Sequence, residues 1–408
     1  METWRKNLYI LWGTQFLAMI GMNLVVPFLP FFIRELGVAN QSELARWSGL
    51  VFAGPFLSSF IATPFWTSLG DKYGRKSMVV RAIIGLGVSQ ILVGFSANVE
   101  QLFFFRIVQG AISGYIAAAL ALVSTSTPKE KIGYALGFLQ SSTAGGTVLG
   151  PAVGGILADF IGYREIFFIV AALCIVGGIV VMKFVKEIPQ PTNGEVKPSI
   201  AENYRFMFSE KQLRVLGLTI VLSQGAALMI EPMFALFVES FKTETKYISS
   251  LTGGIVAIAG IFSVVAAPWW GKRNDKGGFK KNLSLALSGT GISYALHLVV
   301  PNLVSLGFLR AVLGFCRGGI LHSLFSQVSL QSPQNRKSGL IGIASSLAIL
   351  GNMLGPICGG IVAEHFGLKT VFYFNSALFL LMTFVVWKVL IEIPKAKEEL
   401  AEVVETVE

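Results

Sequence analysis

The sequence is short of charge. Only 14% of its 408 residues are Asp, Glu, Lys or Arg, against roughly 25% in soluble domains. That excludes an ordinary water-facing surface. Cysteine is scarce too. Cys174, Cys316 and Cys358 lie in apolar stretches without CxxC spacing, which excludes a disulfide framework and a thiolate metal centre. Three scattered histidines, His297, His322 and His365, exclude a histidine metal site. No Walker sequence is present, and glycine-rich stretches such as 110–114 sit inside apolar runs where phosphate cannot be held. The reading is a non-enzymatic protein with no cofactor. The first apolar run lacks a small-residue cleavage site, so it reads as a retained span rather than a signal peptide.

What the sequence has is apolar length. Hydrophobic residues make up 53%, with 44 glycines, and runs long enough to cross a bilayer recur along the chain. They are predicted at 9–33, 48–66, 78–97, 102–125, 135–158, 166–185, 213–238, 249–270, 283–301, 303–327, 338–362 and 371–391. Twelve spans give an all-α integral membrane fold with both termini on one side. Of 33 Lys and Arg, 24 fall in the termini and even-numbered loops or at the span ends beside them (Arg81, Lys183, Arg214 and Lys388), six in the odd-numbered loops and three well inside spans. The positive-inside rule then predicts cytoplasmic termini, in the inner (cytoplasmic) membrane of a bacterial cell. The net charge of +10 is a topology signal and not a nucleic-acid signal.

The chain repeats itself. The polar stretch around Pro-Gln-Pro-Thr-Asn-Gly at 189–194 separates six spans from six, and the two sets align at an offset of 204 to 205. Gly-Asp-Lys-Tyr-Gly at 70–74 matches Asn-Asp-Lys-Gly-Gly at 274–278, and Arg106 matches Arg310. Gly146-Thr-Val-Leu-Gly150-Pro151 matches Gly351-Asn-Met-Leu-Gly355-Pro356, and the matches run on through Gly154-Gly155 and Gly359-Gly360 to Asp159 and Glu364. Two six-helix, pseudo-symmetric halves follow: 1–187 and 213–391, joined by a cytoplasmic linker at 188–212 and followed by an acidic tail at 392–408. Paired halves with a site between them are a transporter architecture.

These motifs resemble the major facilitator superfamily, and within it the twelve-helix drug:proton antiporters, above all the MdtG group of bacterial exporters. The first span carries Gly21-Met-Asn-Leu-Val-Val-Pro27, similar to that family's first-helix signature. Loop 2–3 reads Leu69-Gly-Asp71-Lys72-Tyr-Gly74-Arg75-Lys76, close to G-x-L-a-D-r-x-G-r-k, with Thr67 where the first Gly stands. The fifth span carries the G-x-x-x-G-P-x-x-G-G antiporter signature. The resemblance implies a secondary transporter working by alternating access, a proton-coupled exporter of small organic molecules such as drugs. The implied partners are a small-molecule substrate, protons and the lipid bilayer, with the protein a monomer. It also implies a gate motif at Asp71, Gly74, Arg75 and Lys76, echoed at Asp275. The bland alternative is a basic turn that only sets topology.

Gly146, Gly150 and Gly154 recur every four residues on one face, where another helix can approach closely, and Pro151 can bend the helix. With Gly351, Gly355 and Pro356 they make a seam. Plain packing is the alternative to a seam that closes the periplasmic side. Charges within spans are costly and point to function or pairing. Arg106 is about 6 Å, and Arg310 and Glu231 are about 10 Å, from the periplasmic ends of their spans at 1.5 Å per residue. The family's cavity is lined by the fourth, seventh and tenth spans. Glu231, Arg106 and Arg310 are therefore proton-coupling candidates, the alternative being a static Glu–Arg pair. NorA-like exporters also carry an acid at the position of Glu231. Asn23, Gln109, Gln140, Gln224, Arg317 and His322 are substrate-cavity candidates. Arg317 stands near where related exporters carry an acid, so it reads as a counter-charge for an anionic or zwitterionic substrate, or as a packing or lipid-facing arginine. His322 and His297 read as packing residues or titrating groups. Trp66, Trp269, Trp270 and Trp387 read as interface anchors. Two other readings stay open: a carrier for an anionic metabolite or siderophore in either direction, and a membrane receptor or enzyme that transports nothing.

Overall fold

The computed structural model describes residues 2–112, 114–128, 131–187, 199–241 and 246–392, with backbone only at Pro64, Thr67, Ser68, Asp71, Lys72 and Ile200. The linker at 189–194 and all of the acidic tail but Glu392 fall outside the described residues, as does the Asp71 side chain. Among those described there are helices and no strands.

In the first half these are α1 (Thr3–Asn23), α2 (Leu29–Glu35), α3 (Gln41–Tyr73), α4 (Arg75–Gly94), α5 (Val99–Ile112), α6 (Tyr115–Ser126), α7 (Ile132–Ile161) and α8 (Tyr163–Phe184). A short helix, α9 (Ile200–Ser209), follows within the expected linker. The second half holds α10 (Lys211–Met229), α11 (Phe234–Glu239), α12 (Ile248–Asp275), α13 (Phe279–Leu296), α14 (Leu303–Gly318), α15 (Leu321–Gln331), α16 (Lys337–Phe366) and α17 (Leu368–Val389).

Among the described residues ten segments are long and apolar enough to cross a membrane. The other two of the twelve spans are weaker for visible reasons. The first carries Asn7, Thr14 and Gln15 and is broken after Asn23, and α13 is short and opens on Lys280, Lys281 and Asn282. The first, fourth, seventh and tenth spans are each broken. The first turns between Asn23 and Leu29 around Pro27, and the seventh passes through a 3-10 turn at Glu231–Met233 around Pro232. The fourth breaks at Gly114, with φ +109°, and the tenth between Gly318 and Leu321. Proline withholds a backbone donor, and glycine alone enters the left-handed region freely. The breaks obey the repeat: Pro27 and Pro232, and Gly114 and Gly319, are each 205 residues apart.

The helices gather into two compact units. One comprises Met1–Glu195, Ala227–Ile258 and Asn352–Val371; the other comprises Val196–Ala226, Ala259–Gly351 and Phe372–Glu408. In the first unit α4 packs on α8, α1 on α7, and α3 on α5. Within it the ends of the seventh, eighth and eleventh spans remote from the termini join the whole first half. Below, the near side is the one carrying residues 7 and 187, and the far side is the other.

Candidate functional site

The repeat is written into hydrogen bonds within each unit. Asn7 donates to the Lys186 carbonyl at 2.7 Å and accepts from its N–H at 3.1 Å. In the second unit Gln212, 205 residues on, donates to the Val389 carbonyl and accepts from the Ile391 N–H, both at 3.0 Å. Each amide ties the start of its half to the end.

Loop 2–3 is held by a residue the sequence reading missed. Gly74 has φ +93°, and a Cβ there would lie 2.9 Å from a Glu187 carboxylate oxygen. That carboxylate accepts from the N–H groups of Arg75 at 2.7 Å and Lys76 at 3.0 Å, the first turn of α4. A carboxylate suits helix amides that have no partner inside the helix. The Arg75 guanidinium reaches the Ala121 carbonyl of α6 at 3.3 Å. The available signal was the recurrence of Glu-Ile-Pro at 187–189 and 392–394. Asp275, the echo of the motif, is exposed at the end of α12. Its neighbours make the polar contacts instead: Arg273 donates to Asn282 at 3.1 Å and Asn274 to Ser323 at 2.6 Å.

Trp66 and Trp270 depart from the expectation of interface anchors. Trp66 donates to the Ala111 carbonyl at 2.7 Å, and Trp270 to the Phe315 carbonyl at 2.8 Å. Each braces the helix just before a break. Arg81 lies over the Trp66 ring at 3.6 Å and donates to the Ile112 carbonyl at 2.9 Å, which satisfies the last turn of α5. Trp269 and Trp387 are exposed, as anchors would be.

Glu231 is 8% exposed and begins the 3-10 turn of the seventh span, which packs on α2 and α3. Arg106 is buried in the same unit. It donates to the Val51 carbonyl of α3 at 3.4 Å and to Gln109 at 2.9 Å. Both coupling candidates in the first unit, Glu231 and Arg106, thus lie on elements packed against α3. Arg310 is fully buried in the second unit. Of the cavity candidates, Gln109 is buried, Asn23 donates to the Met19 carbonyl at 2.8 Å, and Gln140 is exposed on α7. Gln224 and Arg317 are half-buried, and His322 is exposed on α15. His297 is buried, bonded to the Ser293 carbonyl at 2.7 Å and stacked on Phe372.

The glycine face of α7 lies on α1. A Cβ on Gly146 would meet Met19 and Ile20, one on Gly150 would meet Asn23, and one on Gly154 would overlap the Leu24 carbonyl. Contact between the halves falls to neighbouring residues. Gly155 lies against Ser249 of α12, and Gly253 of α12 lies against Pro151. Gly49 of α3 lies against Pro356, and Gly360 against Ala45 and Arg46. On the same side Arg34 and Glu239 form a two-pronged pair, both bonds 2.8 Å. Hydrogen bonding to Glu239 holds the Arg34 guanidinium above its ordinary pKa.

The family model described as Major Facilitator Superfamily matches residues 11–278 and 222–406. The chain belongs to that superfamily. A curated relative, multidrug resistance protein MdtG of Proteus mirabilis (strain HI4320), is 32% identical over 377 residues, which is 92% of this chain and 94% of the relative. MdtG of Escherichia coli (strain K12 / DH10B) is 32% identical over 384 residues, 94% of each. Among solved structures, an inward-facing, occupied bacterial homologue of the human lysosomal transporter Spinster superposes with TM-score 0.81 at 13% identity, covering 96% of this chain and 98% of that one. A D-xylose–proton symporter gives TM-score 0.75 at 14% identity, covering 95% and 98%. The major facilitator fold of two repeated six-span halves is thereby established, and the protein is a multi-pass membrane transporter and not an enzyme.

Proposed function

We propose that this transporter exports small organic molecules, lipophilic drugs among them, in exchange for protons. The setting is a bacterial cytoplasmic membrane with both termini inside, and the protein acts as a monomer by alternating access. The halves 1–187 and 213–391 are the moving bodies. The observation that carries the coupling is Glu231, a buried carboxyl at the break of the seventh span, against the same helix that Arg106 reaches. Interrupted spans at matching places in two repeats are where carriers of this kind build their sites. On this reading the carboxyl takes up or releases a proton as substrate enters or leaves. The MdtG relatives, named for multidrug resistance, support the drug class.

Arg317 supports the second reading, transport of an organic anion, because it is half-buried at the end of α14, beside the break in the tenth span. Uptake of lipophilic cations, neutral compounds and organic anions into inverted vesicles, with and without an imposed pH gradient, separates the two. The export reading expects gradient-driven uptake of cations or neutral compounds. Uptake of anions alone supports the second.

A further inference from the structure

The far side carries two links that the repeat makes equivalent and chemistry makes different. Asp159 lies four residues beyond Gly155 and so shares its helical face. Its carboxylate accepts three bonds from the start of α12: Ser249 N–H at 3.2 Å, Ser250 N–H at 2.7 Å and Ser250 Oγ–H at 2.6 Å. Those first-turn amides have no partner inside their own helix. In the other half Glu364 lies four residues beyond Gly360 and 205 beyond Asp159. It meets no helix amides and pairs with Arg46 near the start of α3 at 3.0 Å, with side chains 40% (Arg46) and 18% (Glu364) exposed. The third link, Arg34 to Glu239, is 42% and 40% exposed. Among the described residues Asp159 is the carboxylate that binds backbone N–H groups across the contact between halves, and it does so where Gly155 brings the two backbones together, its carbonyl accepting from Ser250 Oγ at 3.4 Å.

We propose that Asp159 is the positioning residue that holds the far side shut, with Glu364–Arg46 as its weaker counterpart. The three bonds exist only while the end of α7 lies on the start of α12. Opening the far side leaves the α12 amides and the carboxylate to water, so the bonds favour the closed state alone and set its population. The Arg46–Glu364 pair loses less on opening, because both partners are already partly solvated.

This rests on the alternating-access reading, but its test uses no substrate, so the two fail separately. Spin labels at Ala39 and Lys369, exposed far-side residues of the two halves, report the distance by pulsed electron resonance in nanodiscs of a cysteine-free variant. The wild-type background should give mainly one short distance. Asp159→Ala should raise the open-to-closed ratio roughly tenfold, as loss of a capping acceptor does. Glu364→Gln should raise it less, and Ser250→Ala, which keeps both backbone bonds, should fall in between. A wild-type distribution in Asp159→Ala, or more opening in Glu364→Gln, overturns the proposal. If Asp159→Ala does not fold, Asp159→Asn, which keeps the size and one acceptor oxygen and leaves the Ser250 bond to the Gly155 carbonyl, decides: an increase supports the latch and no change overturns it.

Discussion

Spans five and eleven carry one glycine pattern and end in two chemistries. Along α7 and α16 the packing is the same residue for residue: Gly154 lies on the Leu24 carbonyl, and Gly359 lies on the Met229 carbonyl 205 residues later. At their far ends the helices differ, one offering Asp159 to helix amides and the other offering Glu364 to Arg46. Backbone against backbone tolerates only glycine, so the repeat keeps it. An acid at a helix end needs only some donor, and the two halves supply different ones.

The sharpest way to break that comparison is bulk. Gly155→Leu and Gly360→Leu each push a side chain into the opposite half, and overpacking costs about 1–3 kcal/mol or more. Both should lose transport in vesicles and favour a far-side-open form. Gly150→Leu presses on α1 within its own half, so its main effect should be a lower melting temperature. Normal transport by both Gly155→Leu and Gly360→Leu would remove the contact between halves from the account.

Next in size is the carboxylate that follows each half. Glu187→Gln should cost about 0.5–2 kcal/mol, the usual range for a lost cap, and lower both melting temperature and turnover. Glu392→Gln should do less, since Glu392 lies 3.7 Å from a Cβ position on Gly278 and has no bond to α13 amides like those of Glu187. Equal effects would restore the symmetry denied here. The smallest effect belongs to the exposed ion pairs. Arg46→Gln and Arg34→Gln should each shift stability by about 0.2–1 kcal/mol, measured by thermal unfolding. The shift should shrink as salt rises past about 0.15 M and screening shortens the reach of charge.

The spans, the repeat and the family were legible because bilayer length and backbone close approach leave few solutions. The breaks were only half visible. Pro27 and Pro232 announce a turn, but Gly114 and Gly319 resemble the many other glycines of the spans. Spacing puts Gly146, Gly150 and Gly154 on one face, yet it does not give the neighbour of that face. Periodicity states which residues share a side and not which helix meets it. Glu187 was missed because the partner of a helix terminus lies 111 to 113 residues away in sequence, and the linker boundary hid it. Trp66 and Trp270 were misread for a related reason: an indole near a span end serves either the lipid interface or a backbone carbonyl, and only the fold decides.

The central claim is that a proton at Glu231 drives export. In inverted vesicles Glu231→Gln keeps the size and hydrogen bonding of the side chain and removes its ionisation. The account predicts no accumulation of a lipophilic cation under a pH gradient, while the same cation still equilibrates down its own gradient. A static pair with arginine predicts instead a loss of expression and stability, recovered in part when Arg106 is neutralised as well. Uphill, proton-driven accumulation at the wild-type rate in Glu231→Gln vesicles would contradict the claim outright.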